Sequence, residues 1–259
     1  MSAHLTLPGH QTHSPQRNRR ATAVELSILR SFELRRGKQQ VPLPMSAQRL
    51  VAFLALHGRP LQRSFVAGTL WLDSSEARAS ANLRSVLWRL RQPGVGIVEQ
   101  RTDRLSLATS VRVDLWETAS LAERILHDGD LPDSFERLRD ALCADLLPDW
   151  YEEWVFVERE RFRQLRMHTL ETLCRRFAED GRWAEAIDAG LVSVAVEPLR
   201  ETGQRALIAA HLAEGNLHEA LRQYRAYREL LKLELGVGPS QEMEDLIASA
   251  QAPGRPNNL

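Results

Sequence analysis

Between positions 76 and 92 the sequence spaces arginine, serine and tryptophan so that a helix would gather them on one side. At about 100° per residue, Ala81, Arg84, Ser85, Trp88 and Gln92 share an arc, and Arg78, Arg89 and Arg91 flank it. No Asp or Glu occurs from Ala77 to Gln92. These residue types suit the edge of a DNA duplex. A guanidinium donates two bonds to one guanine edge, a serine hydroxyl reaches a base or a phosphate, and an indole meets a thymine methyl or a sugar. Trp88 also fits packing against a neighbouring domain, and Arg89 and Arg91 also suit the negative end of a helix dipole. Further on, Arg101, Thr102 and Arg104 surround the link between two β-like runs, 96–99 and 104–107. An arginine at such a tip can enter a minor groove or clamp phosphates, or simply keep a hairpin hydrated. Ser46, Gln48 and Arg49 open an earlier segment whose first amides could hold a phosphate. Capping alone accounts for Ser46 equally well.

The elements that must position these residues follow from pattern. Val24, Leu26 and Ile28, then Phe32 and Leu34, alternate as short strands do, with a turn at Arg36-Gly37-Lys38. Ser46 is the expected N-cap of a helix carrying Ala47, Leu50, Val51 and Leu54 on one face and ending near His57-Gly58. A second helix is expected to reach Leu70-Trp71 and bury Leu61, Phe65, Val66 and Leu70. The third, over 76–92, should bury Ala79, Leu83, Val86, Leu87 and Leu90, with Pro93-Gly94 stopping it before the hairpin. Strands, three helices and a hairpin in this order predict a winged helix-turn-helix.

From about Asp114 the periodicity is helical, with helices expected over 133–146, 151–180, 183–196, 201–214, 217–235 and 241–250. GRWAEAI at 181–187 matches GNLHEAL at 215–221, thirty-four residues later. That is the tetratricopeptide period, in which stacked helix pairs share one core.

The 259 residues suffice for two cores, and 43 % hydrophobic with 26 % charged is ordinary for a water-exposed globular chain. The zero net charge hides a split. Residues 1–112 hold seventeen basic against six acidic residues, and residues 113–259 hold seventeen basic against twenty-eight acidic. A basic half is the electrostatic footprint of a polyanion partner, although basic faces are often only solvated. No apolar run is long enough to span a membrane. Cys143 and Cys174 have no metal-ligand spacing, and the chain is expected to be cytoplasmic. GVG at 94–96 and at 236–238 lacks the Lys-Ser/Thr of a phosphate loop, and no GxSxG, HExxH or DxDxG pattern occurs. His211 and His218 make a weak metal pair on different helices. The carboxylates at Asp149, Glu153, Glu158 and Glu160 read as a solvated face. An enzyme, a metal site and a cofactor are not expected.

The stretches SAQRLVAFLALHGRPLQRSFVAGTLW (46–71), ANLRSVLWRLR (81–91) and RVDLW (112–116) resemble the Streptomyces antibiotic regulatory protein family. Trp150, ERER at 158–161, Gly181, His211, Gly215, EAL at 219–221, Tyr224 and LELGVGP at 233–239 are similar to the bacterial transcriptional activator domain that follows in that family. The resemblance covers about residues 24–250. It implies a mainly α fold: an OmpR-type winged helix (small β-sheet, three helices, wing hairpin) and an all-α, tetratricopeptide-like second domain. It further implies an activator that binds direct repeats in double-stranded promoter DNA, as two copies, and recruits RNA polymerase holoenzyme, often for secondary-metabolite genes. In that architecture Arg84, Ser85, Trp88 and Arg89 contact bases or backbone, and Arg101, Thr102 and Arg104 form the wing. Asp103 departs from a favourable wing tip, since a carboxylate facing phosphate is repelled. Neither the ATPase module of larger relatives nor a receiver segment is expected here. The expected layout is a disordered arm at 1–22, a DNA-binding domain at 23–112, an activator domain at 113–250 and a flexible tail at 251–259. The rival expectations are a protein-interaction scaffold whose winged helix is a docking module, and a repressor or ligand sensor.

Overall fold

The computed structural model describes residues 24–91, 96–127, 129 and 131–252; the expected arm at 1–22, most of the tail at 251–259 and Gln92-Pro93-Gly94 lie outside them. Three short strands come first among the described residues: β1 (Val24–Ser27), β2 (Glu33–Arg36) and β3 (Gln39–Gln40), with the β2–β3 turn at Gly37 in the left-handed region. Leu26 faces Leu34 across the antiparallel β1–β2 pair, and both are buried. A fourth strand, β7 (Val111–Val113), closes this sheet by running parallel to β1, giving the order β3-β2-β1-β7.

Helix α1 (Met45–His57) starts differently from expectation. Pro44 is its N-cap, with φ −65° and ψ 152°, and the Pro44 carbonyl accepts from the N–H groups of Ala47 at 2.8 Å and Gln48 at 3.0 Å. A proline presets the dihedral that a helix start needs, so Ser46 falls inside the first turn and its hydroxyl caps nothing. Gly58, at φ 60°, ends the helix by donating its N–H to the Leu54 carbonyl. Next come β4 (Leu61–Gln62), α2 (Arg63–Leu70), α3 (Glu76–Leu90) and the hairpin β5 (Val98–Arg101) with β6 (Arg104–Leu107). The two residues of β4 pair with β6, so Leu61 is buried as a strand residue and not as part of α2. Phe65 departs from its expected burial, staying 47 % exposed at the start of α2 against His57.

The remaining helices are α4 (Asp114–His127), α5 (Glu136–Leu142), α6 (Glu153–Glu179), α7 (Trp183–Val196), α8 (Glu201–Glu214), α9 (Leu217–Glu234) and α10 (Gln241–Gln251). Helix α5 occupies only the middle of its expected range, and Leu147 beyond it takes φ 45°. The thirty-four-residue repeat has a structural counterpart. Gly181 and Gly215 both take positive φ in the turns before α7 and α9, and Ala186 and Ala220 are both fully buried. Leu173 and Leu207, and Cys174 and Ile208, also match in burial. Gly190 is needed for the close approach of α7: a Cβ there would lie 3.0 Å from the Leu207 Cβ and 3.1 Å from the Cys174 Sγ.

The first core does not stop at the sheet. Ala144, Leu146, Leu147, Val155 and Phe162, all C-terminal to the winged helix, are buried in it. Phe53 of α1 meets Trp154 of α6 edge to face at 5.1 Å. The Leu147 N–H donates to the Ile28 carbonyl at 3.0 Å, and the Arg30 N–H to the Asp145 carbonyl at 2.7 Å. Arg159 binds the carbonyls of Leu146 and Trp150 at 2.7 Å each, and that of Leu147. Asp114 ties the start of α4 to the end of β1, accepting from the N–H groups of Ile28 at 3.0 Å and Leu29 at 3.2 Å. Burial pushes this carboxyl above the usual aspartate range, against the opposing pull of the Ile28, Leu29 and Leu115 amides. Asp114→Ala leaves these amides without their acceptor and is expected to cost about 2 kcal/mol, as for hydrogen bonds to a charged group. Asp114→Asn should lose less, because its carbonyl still accepts. An unchanged urea midpoint in the alanine variant contradicts this role.

Candidate nucleic-acid interface

Helix α3 owes its orientation to its apolar stripe. Ala79, Leu83, Val86, Leu87 and Leu90 are all buried, as the spacing predicts, and they seat the helix on α1 and α2. Glu76 in the first turn and Arg89 in the last complement the helix dipole. The opposite side is open. Arg78, Arg84, Ser85, Trp88 and Arg89 are exposed, and the Trp88 indole is 71 % accessible. Trp88 therefore packs under no other part of the chain among the described residues. Among the described residues, Arg78, Arg84 and Arg89 have no carboxylate within ion-pair distance. Arg91 stands just past the helix, where its N–H donates to the Trp88 carbonyl at 3.2 Å.

The wing is tighter than the sequence suggests. Strands β5 and β6 extend to Arg101 and Arg104, which face each other in register, so the turn is only Thr102-Asp103. Thr102 has φ 34°, a strained backbone for a β-branched residue. The turn is anchored because the Arg63 N–H donates to the Asp103 carbonyl at 2.8 Å. Arg101, Thr102, Asp103 and Arg104 are exposed, and Arg101 lies 3.4 Å from Glu99. One of the two tip cations is thus shared with a carboxylate of its own strand.

At the start of helix α1 the two polar side chains named beside Ser46 are engaged within the chain. Arg49 turns to α6 and pairs with Glu152 at 2.8 Å, while the Gln48 amide donates to the Leu43 carbonyl at 2.8 Å. Conversely, the structure brings in two residues that spacing did not select. Arg63 begins α2, and Gln100 lies on β5; the Gln100 side-chain oxygen accepts from Arg63 at 3.3 Å and from Arg91 at 3.1 Å. A basic residue at the positive end of a helix dipole is unfavourable, and that mismatch at Arg63 was the available signal. His211 on α8 and His218 on α9 join no metal set: no group of three or more His, Cys, Asp or Glu side chains gathers to hold an ion among the described residues. Nor does any described helix have the length and apolarity to cross a membrane.

Comparison with known proteins adds three findings. The profile of the bacterial transcriptional activator domain matches residues 113–250. The chain is 30 % identical over 212 residues to "Regulatory protein AfsR" of Streptomyces coelicolor, spanning 78 % of this chain and 21 % of that protein. It is 28 % identical over 242 residues to "Regulatory protein AfsR" of Streptomyces griseus, spanning 87 % of this chain and 24 % of that protein. The chain therefore spans less than a quarter of the length of these relatives. Among solved structures it is similar to Mycobacterium tuberculosis EmbR, determined in complex with a low-affinity phosphopeptide. The TM-score is 0.62 at 19 % identity, covering 88 % of this chain and 65 % of the other. That last likeness is one of fold.

Proposed function

Since the chain belongs to the Streptomyces antibiotic regulatory protein family of transcription regulators, through its bacterial transcriptional activator domain, we propose that it is a sequence-specific activator of promoters. In this reading residues 23–112 bind double-stranded DNA and residues 113–250 contact the transcription machinery. Two copies occupy a direct repeat and recruit RNA polymerase, with secondary-metabolite genes as the expected targets. Helix α3 enters the major groove with Arg84, Ser85, Trp88 and Arg89, flanked by Arg78 and Arg91, and the wing places Arg101, Thr102 and Arg104 against the backbone. The observation that carries this reading is the outer side of α3: arginine, serine and tryptophan are exposed together, with the apolar side fully seated. A buried stripe opposite an acid-free cationic face is what major-groove entry by a helix requires.

The test is genome-wide footprinting with the purified chain. Protection of spaced repeats close to −35 promoter elements is expected, weakening steeply as salt rises because bound arginines release counterions. No protection at any salt, with no retardation of random duplex at micromolar protein, removes DNA as the partner. The winged helix would then be a protein-docking module.

A further inference from the structure

Arg63, Gln100 and Arg91 come from three different elements: the start of α2, the middle of β5 and the residue that closes α3. They meet at one atom. The Gln100 Oε1 accepts from Arg63 at 3.3 Å and from Arg91 at 3.1 Å. A carbonyl oxygen has two lone pairs, and a guanidinium offers only donors, so the oxygen must face both arginines. Two cations sharing one neutral acceptor repel each other, and nothing in the contact cancels their charge. Neither arginine has a carboxylate within ion-pair distance among the described residues. The Gln100 amide nitrogen donates to no group among the described residues, which leaves two further N–H donors beside the pair. The neighbouring Glu99 instead takes Arg101. Arg63 is fixed a second time, through its backbone N–H to the wing turn.

We propose that Gln100 is a positioning residue that gathers Arg63 and Arg91 into one anchor for a DNA backbone phosphate at the edge of the groove entered by α3. The inference rests on the DNA-binding reading above and adds to it an anchor and the residue that builds it. A neutral acceptor orients the two guanidiniums and leaves both charges available. A carboxylate at the same place would hold them more firmly and spend part of that charge. A phosphate has the oxygens to accept from two guanidiniums, where each N–H···O⁻ bond is charge-assisted.

The experiment uses the whole chain and random-sequence duplex, with affinity measured over a series of salt concentrations and thermal unfolding recorded for every variant. Each lost phosphate contact flattens the slope of log K against log salt by about 0.9, or about threefold between roughly 50 and 200 mM. Arg63→Ala with Arg91→Ala is expected to flatten the slope by about one contact or more. Gln100→Ala should weaken binding severalfold, and Gln100→Glu more so, although the glutamate variant melts no lower than the parent. In the background lacking both arginines, Gln100→Ala should have no further effect. Unchanged affinity and slope in Gln100→Ala overturn the anchor, as does an equal loss in the background without the arginines. If the unmodified chain fails to retard duplex at low salt, the DNA-binding reading falls before any variant is compared. If the unmodified chain binds and the variants match it, the anchor falls alone.

Discussion

Replacing Arg84 and Trp88 together by alanine is expected to weaken binding to a cognate repeat by about 3 kcal/mol, roughly a hundredfold. Binding to random duplex should weaken far less. The difference follows from what each side chain can touch. On α3 both point away from the buried stripe of Ala79, Leu83, Val86, Leu87 and Leu90, so truncation removes contacts to DNA without opening a cavity. In the proposed reading, guanidinium and indole groups at base edges discriminate sequence, whereas arginines set against the backbone mainly neutralise phosphates. Exposed positions of this kind contribute little to folding, so the melting temperature should stay close to that of the parent. The check is a titration of each variant against cognate and random duplex at one salt concentration. Equal losses on both would make these residues backbone anchors. No loss on either would remove α3 from the interface.

The second large effect concerns the joint between the two parts of the chain. Phe53→Ala is expected to destabilise the protein by about 3–5 kcal/mol, as for removal of a buried phenylalanine. Phe53 is fully buried. Its ring lies 4.3 Å from that of His57 and edge to face with Trp154 of α6, and such aromatic pairs add to the area term. Phe53→Leu should cost far less, since the volume is largely kept. Because the core that holds Phe53 also holds Val155 and Phe162 of α6, the loss should spread past the winged helix. Urea unfolding followed by far-UV signal, which is dominated by the C-terminal helices, should shift with unfolding followed by tryptophan fluorescence. A shift confined to fluorescence would mean that the two parts unfold independently.

The apolar face of α3 was legible because five positions obey one period, and no tertiary contact competes with it. The ranges of α7 and α8 were legible for a different reason: glycine or proline punctuates each end. Short β elements were not. β4 has two residues and β7 three, too few to show alternation, and both exist only because a partner strand is already in place. Ser46 looked like a cap, but the residue type cannot reveal that the helix starts at Met45, with Pro44 in the N-cap position. Arg49 was read beside a possible phosphate site, and its pairing with Glu152 could not be foreseen because that partner lies 103 positions away. The same holds for Arg63 and Gln100, which are 37 positions apart and meet only after the wing folds back on α2. Local pattern thus predicted which face of α3 would be free, and long-range pairing decided which other cations stand beside it.

The most direct test places a photoreactive phenylalanine at position 88 of the whole chain, with a second version carrying it at position 233 on α9, where Leu233 is 80 % exposed. After binding to a footprinted repeat and irradiation, position 88 should give a covalent product mapped to bases within the repeat, and position 233 should give none. A chain that protects the repeat yet yields no product from position 88, or equal products from both positions, would contradict entry of α3 into the groove.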